Sequence, residues 1–454
     1  MKIFLILFLL FQIDETFTVT DAGPISGTLK DGIRIYKGIP FAAPPVGNLR
    51  WKAPQPVKPW KEIRQCTAFG PSPMQGRPAR FSMWTEEYLI PASPIGEDCL
   101  YLNVWTGAKE ANEKRAVIVW IYGGGFSSGG SGVPIYDGEA MAKKGIVFVS
   151  INYRVGVFGF LAHPELTKES PNKASGNYGL LDQIAALKWV QKNIAAFGGD
   201  PKNVTIAGQS AGAMSVNCLV ASPLAKGLFQ RAIGESGSSV VAGNYIGKGL
   251  SQAEADGIET AKKLRAASVE ELRKIPAAEL HEKAPGQRGP IVDGYVLPET
   301  VAKIFAEGRQ NKVSLLTGSN QDEGLMFGFM NYAWANEHLK QSKDVYVYRF
   351  ARKVPAVGEY VKYGAFHTGE VPYALDNLKF VDRPWQASDH NLAKLMSTYW
   401  GNFAKTGNPN GKGLPKWPIY TMKEKKVMIL NEVSASRQMP NLKTLDSMYL
   451  QMNR

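Results

Sequence analysis

Short apolar runs rich in β-branched residues recur along the chain, and longer stretches with helical character lie between them. Buried strands are predicted at residues 116–122, 146–151, 313–316 and 345–350, and around Ala232. Helices are predicted at residues 180–195 and 253–264. Alternation of this kind predicts an α/β fold with a mostly parallel central sheet that is flanked by helices.

A serine with a glycine on either side stands where a predicted strand changes into a predicted helix. The strand is 203–207, the turn is Gly-Gln-Ser-Ala-Gly at 208–212, and the helix is 211–219. The pentapeptide alone would also fit a tight loop, but strand, turn and helix together are typical of the nucleophile elbow of an α/β-hydrolase. Such a turn is strained, and glycines two residues before and after Ser210 avoid collisions across it.

A glycine run follows another predicted core strand, about eighty residues before the elbow. Residues 116–122 lead into Gly123, Gly124 and Gly125. Attack on an ester carbonyl creates an oxyanion, which backbone N–H groups can stabilise if no side chain blocks them. The run could be a flexible turn, but beside an elbow it predicts an oxyanion hole formed by Gly124, Gly125 and Ala211.

Several longer strings give the chain a resemblance to the type-B carboxylesterases, the family that includes cholinesterases and bile-salt-type lipases. The resemblance runs from about Gly27 to about Leu430. The strings lie at 38–42, 97–104, 152–156, 176–183 and 197–201. One departure is Tyr122, where the family often has histidine before the glycine run. The resemblance implies a serine carboxylesterase that hydrolyses esters through an acyl-enzyme.

The acid and the base are expected to follow the serine in the order acid, then histidine. His163 precedes Ser210, whereas His281, His338, His367 and His390 follow it. The resemblance selects His367, because residues 364–373 look like the family's histidine loop. We expect His281 and His338 to be solvated surface residues and His390 to have a cap or surface role.

The family's acid loop matches residues 320–324, and its glutamate falls on Glu323. Asp322 stays an alternative. In the expected mechanism His367 takes the proton of Ser210 and returns it to the leaving alcohol, while Glu323 orients the imidazole. This chemistry needs no metal and no organic cofactor, and the sequence has no zinc-ligand spacing and no phosphate loop.

Composition and charge limit the classes of binding partner that the chain is expected to have. The chain has 454 residues, 53 basic and 40 acidic, with a net charge of +13. The lysines are dispersed and no aromatic–basic interleaving indicates nucleic acid, so we expect small-molecule esters as partners and no nucleic acid. The sequence does not fix the natural ester or the oligomeric state.

An apolar run near the N-terminus predicts export. Lys2 precedes the run Ile3 to Phe11, which is too short for a stable membrane span and fits the core of a signal peptide. We expect residues 1–18 to be a signal peptide, residues 19–454 to be a single α/β-hydrolase domain, and the protein to be secreted or periplasmic. The resemblance further implies a disulfide between Cys66 and Cys99, which leaves Cys218 as a buried thiol.

The pocket residues favour a general carboxylesterase over a cholinesterase. The resemblance places Ala284 and Gly286 near positions where cholinesterases carry acyl-pocket aromatics, and Met326 where they often carry another aromatic. Trp84, between the two cysteines, is expected either to line the pocket or to pack within its loop.

The connection between Glu323 and His367 is much shorter than the family usually has. Residues 324–327 pass almost directly into residues 331–335, which resemble a later part of the family pattern. We expect the sheet and the triad to stay intact and one wall of the pocket to open, exposing Met326 and Phe327. The alternative is a catalytically impaired or non-catalytic binding member of the same family.

Overall fold

The computed structural model describes residues 15–241, 247–284, 289–342 and 344–452. The strands are β1 Thr18–Val19, β2 Pro24–Ser26, β3 Thr28–Lys30, β4 Ile33–Pro40, β5 Arg64–Gln65, β6 Ser72–Pro73, β7 Ile95–Gly96, β8 Tyr101–Thr106, β9 Arg115–Ile121, β10 Val147–Ile151, β11 Gly199–Gln209, β12 Arg231–Glu235, β13 Ser314–Asn320, β14 Val345–Phe350, β15 Lys426–Leu430 and β16 Ala435–Gln438. The α-helices are α1 Glu139–Lys143, α2 Gly156–Phe160, α3 Pro164–Glu169, α4 Tyr178–Asn193, α5 Ala211–Ala221, α6 Leu250–Lys263, α7 Val269–Lys274, α8 Ala277–Lys283, α9 Val301–Ala306, α10 Leu325–His338, α11 Val371–Ala374, α12 Ala387–Thr406 and α13 Leu442–Met452.

One mixed sheet of 11 strands organises the described chain, in the order β16-β15-β14-β13-β12-β11-β9-β10-β8-β4-β3. The seven strands from β15 to β10 in this order run parallel, and the pairs at both ends of the sheet are antiparallel. The central strands β9 and β10 are buried along nearly their whole length, because helices cover the sheet. The predicted α/β fold with a mostly parallel centre is therefore confirmed.

The carboxyl ends of the parallel strands gather the predicted chemistry at one edge of the sheet. The glycine run follows β9, Ser210 follows β11, and Glu323 lies three residues after β13. Since parallel strands end at the same edge, these loops share a crevice. Strands β13 and β14 are direct neighbours, with Leu315 opposite Val345, and α10 is the only α-helix among the described residues that connect them along the chain. The sheet thus closes across the short connection, as expected.

A buried ion pair joins two of the strings that carry the family resemblance. The guanidinium of Arg154 donates to the carboxylate of Asp182 at 2.8 and 2.7 Å, and the backbone N–H of Arg154 adds a bond of 2.9 Å. Both side chains are almost completely buried. Burying two charges is costly unless they pair, so this contact fixes the loop after β10 against α4.

The expected bond between Cys66 and Cys99 is absent from the structure, where Cys66, Cys99 and Cys218 are all buried free thiols. Cys66 is held beside β2 and β4 by backbone bonds to Ser26 and Lys37. Cys99 instead lies near the Arg154–Asp182 pair, so the two thiols occupy different surroundings. Burial raises the pKa of Cys66 to about 11, which keeps this thiol protonated and unreactive.

The predicted signal-peptide core, residues 3–11, lies outside the described residues. Thr16 and Thr18 are described, and both are buried. The hydroxyl of Thr18 lies 2.8 Å from that of Tyr36, which ties the start of the described chain to the main sheet. Within the described ranges no helix has the length and apolarity to cross a membrane.

Candidate active site

Ser210 occupies the sharp turn between β11 and α5. Its backbone has φ 57° and ψ −123°, a strained conformation for a residue with a side chain. A Cβ on Gly208 would lie 2.6 Å from the carbonyl oxygen of Ile121, and one on Gly212 would lie 2.1 Å from it. The two glycines of the motif are therefore required by the close approach of β9, and this confirms the predicted elbow geometry.

The glycine run packs directly against the elbow. A Cβ on Gly123 would lie 3.0 Å from Cβ of Ser210, and one on Gly124 would lie 2.3 Å from the carbonyl oxygen of Ser128. Gly124 and Gly125 have φ of +113° and +62°, which favour glycine. Among the described residues no acceptor is recorded for either N–H, and both glycines line the cavity that contains Ser210.

Ala211 is the first residue of α5, so its N–H is one of the donors that a helix N-terminus leaves free. The three N–H groups expected to form an oxyanion hole thus belong to two loops that meet at Ser210. Tyr122, directly before the glycine run, is fixed in place by Tyr153: the two rings stack at 4.4 Å, and the Tyr122 hydroxyl donates to the Tyr153 carbonyl at 2.6 Å.

Glu323 and His367 form a direct contact. Nδ1 of His367 lies 2.7 Å from Oε2 of Glu323, whose side chain is 0% exposed. The other carboxylate oxygen, Oε1, accepts the N–H of Asn320 at 2.6 Å. An ionised Glu323 must accept from Nδ1–H, which leaves Nε2 of His367 as the atom with a free lone pair. This is the tautomer that a general base needs.

Asp322, the alternative candidate for the acid, contacts the backbone of Ala365 and not the imidazole. Its carboxylate accepts the N–H of Ala365 at 2.8 Å, and its own N–H donates to the Ala365 carbonyl at 3.0 Å. The residue is exposed and the structure gives its side chain no contact with His367. Asp322 therefore fastens the acid loop to the loop that carries His367.

Three neighbours surround the imidazole. Phe327 stacks on it with centroids 4.4 Å apart, and Trp84 meets it edge-on at 6.5 Å. The hydrogen-bond partner that the structure gives to Nε2 is the side-chain amide of Gln209, at 3.3 Å. Ser210 lines the same cavity as His367, without a recorded hydrogen bond between the two. Catalytic hydrogen bonds are often loose before substrate binds.

A second buried carboxyl lies behind the acid. Glu370 contacts the side-chain amide of Asn320, and the hydroxyl of Ser236 donates to it at 3.3 Å. Burial, together with the nearby charge of Glu323, raises the pKa of Glu370 to about 7. Asn320 thus connects Glu370 with Glu323, since its backbone holds one carboxyl and its side chain the other.

The cavity at Ser210 has a volume of about 710 Å³. Apolar and aromatic side chains form much of its wall, including Trp84, Phe81 and Tyr136. Trp84 therefore lines the pocket, and its indole N–H also donates to Thr368 at 3.2 Å. Apolar walls with few polar groups are typical of a site for small organic molecules.

Some of the sequence expectations for other residues are wrong. His338 is fully buried, and its Nε2 contacts the Val313 carbonyl at 2.8 Å. Burial lowers the pKa of His338 to about 4. His281 lines the cavity. Ala284 packs in a small core cluster around Trp51 and not on the cavity wall. Gly286 lies outside the described residues.

Other expectations agree with the structure or lie close to it. His390 is exposed on α12, and His163 caps α3 by accepting the N–H of Glu165 at 3.2 Å. Met326 is 49% exposed beyond the acid loop, as expected, whereas Phe327 was expected to be exposed and is half-buried because it stacks on the imidazole. Sequence reasoning missed Gln209 and Asn320. The sequence signal that could have indicated Gln209 is its place in the Gly-x-Ser-x-Gly motif, directly before Ser210.

Comparison with known proteins identifies the family. The family model described as "Carboxylesterase family" matches residues 14–336 and 330–447. The chain is 37% identical over 468 residues to a fumonisin B1 esterase of Sphingopyxis macrogoltabida, covering 88% of this chain and 84% of that protein. It is 35% identical over 474 residues to a para-nitrobenzyl esterase of Bacillus subtilis (strain 168), covering 91% and 94%.

Solved structures agree with these relatives. A thermophilic PNB esterase superposes with a TM-score of 0.85 at 31% identity, covering 96% of this chain and 100% of that one. A carboxylesterase of Geobacillus stearothermophilus gives a TM-score of 0.79 at 32% identity, with the same coverage. The chain therefore belongs to the carboxylesterase family, and it is a carboxylic ester hydrolase with the α/β-hydrolase fold.

The family match also bears on the short connection. Its two parts meet at residues 330–336, inside α10. This is where the sequence suggests that a segment of the family pattern is missing. The comparisons give no support to a non-catalytic binding member, since the relatives named above are esterases.

Proposed function

We propose that the chain is a serine carboxylesterase whose triad is Ser210, His367 and Glu323. The proposal rests above all on the 2.7 Å contact between Nδ1 of His367 and the fully buried carboxylate of Glu323, at the cavity into which the strained Ser210 opens. That contact supplies the oriented base that a serine nucleophile requires.

In the proposed reaction, Nε2 of His367 takes the Ser210 proton while Oγ forms a bond to the ester carbonyl carbon. The carbonyl π electrons move to the oxygen, and the N–H groups of Gly124, Gly125 and Ala211 stabilise the resulting charge. The imidazolium then gives its proton to the leaving alkoxide as the carbon–oxygen bond breaks. Water attacks the acyl-enzyme in the same way and restores Ser210.

The imidazolium is stabilised by the buried carboxylate that it contacts. Glu323 keeps both of its oxygens occupied, one by His367 and one by the N–H of Asn320. A carboxylate with fixed partners needs no reorganisation when charge develops on the imidazole.

The proposed substrates are small carboxylic esters with an apolar acyl or alcohol group. The wall of Trp84, Phe81 and Tyr136 favours such groups, and Phe81 stands 61% exposed there. Because this wall leaves Phe81 largely exposed, a long acyl chain buries little more apolar surface than a short one. We therefore expect the preference to fall with increasing acyl length.

Hydrolysis of p-nitrophenyl esters of rising acyl length, with a p-nitrobenzyl ester alongside, tests the proposal. Ser210→Ala should lose a thousandfold or more in kcat/KM, because the triad acts as a unit. An organophosphate should add one adduct per native chain, on Ser210, and none to the variant. Unchanged turnover by Ser210→Ala would contradict the proposal.

We further propose that the protein is exported. The apolar run after Lys2 supports this, and the burial of Thr16 and Thr18 favours a cleavage site before residue 16 over one after residue 18. N-terminal sequencing of protein recovered outside the cytoplasm of a secreting host measures the site. A product that begins at residue 19 would contradict the earlier cleavage.

A further inference from the structure

A chain of hydrogen bonds runs from the cavity wall to the imidazole of His367. The indole N–H of Trp84 donates to Oγ1 of Thr368 at 3.2 Å, and the Thr368 hydroxyl donates to Oε1 of Gln209 at 3.4 Å. The amide nitrogen of Gln209 lies 3.3 Å from Nε2 of His367. Gln209 and Thr368 are both buried, so water does not compete freely for these groups.

The tautomer of His367 fixes the direction of the bonds in this chain, because Nε2 must accept when Nδ1–H donates to Glu323. Trp84 can only donate, so Thr368 accepts from it and turns its own proton to Oε1 of Gln209. With Oε1 used as an acceptor, Gln209 presents its N–H to the imidazole. Because Nδ1–H donates to Glu323, Nε2 is the acceptor. The amide therefore binds the lone pair that must accept the proton of Ser210.

We propose that Gln209 is a positioning residue that holds the neutral imidazole of His367 in the resting enzyme. The inference rests on the proposed function of His367 as the base. The amide stabilises the neutral ring and must give up Nε2 before the ring can take a proton, because an imidazolium N–H cannot accept a bond from another N–H. A flip of the amide would turn Oε1 toward the lone pair of Nε2, and this repulsion keeps the N–H of Gln209 facing the neutral ring.

The carboxyl groups around the imidazole of His367 act in the opposite direction to the amide of Gln209. Glu323 contacts Nδ1, and Glu370 lies close enough to interact electrostatically with His367. Both are carboxyls that favour the imidazolium once ionised. Phe327 and Trp84 cover the ring without charge. Gln209 is thus the neighbour whose hydrogen bond favours the neutral ring.

The test is the pH profile of kcat/KM for a short p-nitrophenyl ester, measured for the native enzyme, Gln209→Met and Gln209→Glu. Methionine keeps the length of the side chain and removes the donor. The midpoint of the acidic limb should rise by roughly half a unit to one unit in Gln209→Met, the size of one net hydrogen bond. It should rise further in Gln209→Glu, whose carboxylate favours the imidazolium.

Gln75→Met is the matched control. Gln75 is another buried glutamine of the same cavity, but its amide donates to the carbonyls of Pro73 and Gly129. Its replacement should leave the midpoint unmoved, even where turnover falls. A merely structural role for Gln209 would lower activity in the same way without a shift.

An unmoved or lowered midpoint in Gln209→Met would overturn the inference. Titration with an organophosphate counts active sites in each variant, and Gln209→Glu supplies the second measurement if Gln209→Met folds poorly. Ser210→Ala separates the two proposals. If Ser210→Ala is inactive while the limb does not move, the inference about Gln209 fails alone; if Ser210→Ala stays active, the proposed triad fails.

Discussion

The two acids of the acid loop, Glu323 and Asp322, should respond very differently to loss of charge. Glu323→Gln keeps the shape of the side chain but removes the negative charge 2.7 Å from Nδ1 of His367. An ion pair at this separation is worth on the order of 5 kcal/mol at an effective dielectric constant of 20. The amide can also present a donor to Nδ1 and so favour the wrong tautomer.

We therefore expect kcat/KM of Glu323→Gln to fall by roughly a thousandfold to ten-thousandfold, as for acid replacements in other triads. Asp322→Asn should fall by less than about tenfold, because asparagine keeps an oxygen that can accept the N–H of Ala365. The two replaced acids are adjacent in sequence, but the carboxylate of Glu323 is buried against the imidazole, whereas Asp322 is exposed and bonds to Ala365.

The assay is initial-rate hydrolysis of a short p-nitrophenyl ester near neutral pH, with urea unfolding of each variant. Unfolding separates a loss of folded protein from a loss of catalysis. A harmless Glu323→Gln together with a crippled Asp322→Asn would refute the assignment of the acid. Equal small losses in both would show that the charge of the acid contributes little.

Further changes test the packing around the site. Asp182→Asn, which leaves Arg154 buried without its counter-charge, should cost about 3–5 kcal/mol in urea unfolding, whereas Glu270→Gln in an exposed helix ion pair should leave the urea midpoint almost unchanged. Burial lowers the pKa of His338 to about 4, so the unfolded chain takes up its proton first as pH falls. The contribution of His338 to stability should be complete above about pH 6.5 and should fall from there to about pH 4, by up to about 1.4 kcal/mol per pH unit; the difference between native protein and His338→Gln measures it. A thiol reagent should not label Cys66 in the native protein and should label all three cysteines in the unreduced, unfolded chain. Labelling of only one cysteine in the unfolded chain would show that the other two form a disulfide.

The elbow was easier to predict from the sequence than the rest of the site, because backbone sterics allow only glycine at Gly208 and Gly212. The acid was harder, since Asp322 and Glu323 are neighbours and only the direction of each side chain separates them. His338 looked solvated in a polar helix, but its ring lies under a strand carbonyl. Such contacts depend on tertiary packing, which local sequence does not encode.

The disulfide shows the limit of family resemblance. Matching Cys99 to its string was secure, but a bond also needs a partner at the right distance and angle. Cys66 is held by backbone bonds to Ser26 and Lys37, whereas Cys99 lies near the Arg154–Asp182 pair, and both are free thiols. A spacing along the chain cannot report that difference. The same holds for Gln209, whose importance depends on where its amide points.

The short connection leaves the acid and the base in place because the hydrogen bonds that join their loops lie at its two ends, outside α10. Two strand-end contacts join their loops directly: Asp322 bonds twice with Ala365, and the side chain of Asn320 donates to the Phe366 carbonyl at 2.7 Å. All of these bonds start at the end of β13 or just beyond it, before α10 begins. A change in the length of α10, or of the chain that follows it, can therefore alter the cover around the site without moving Glu323 away from the imidazole.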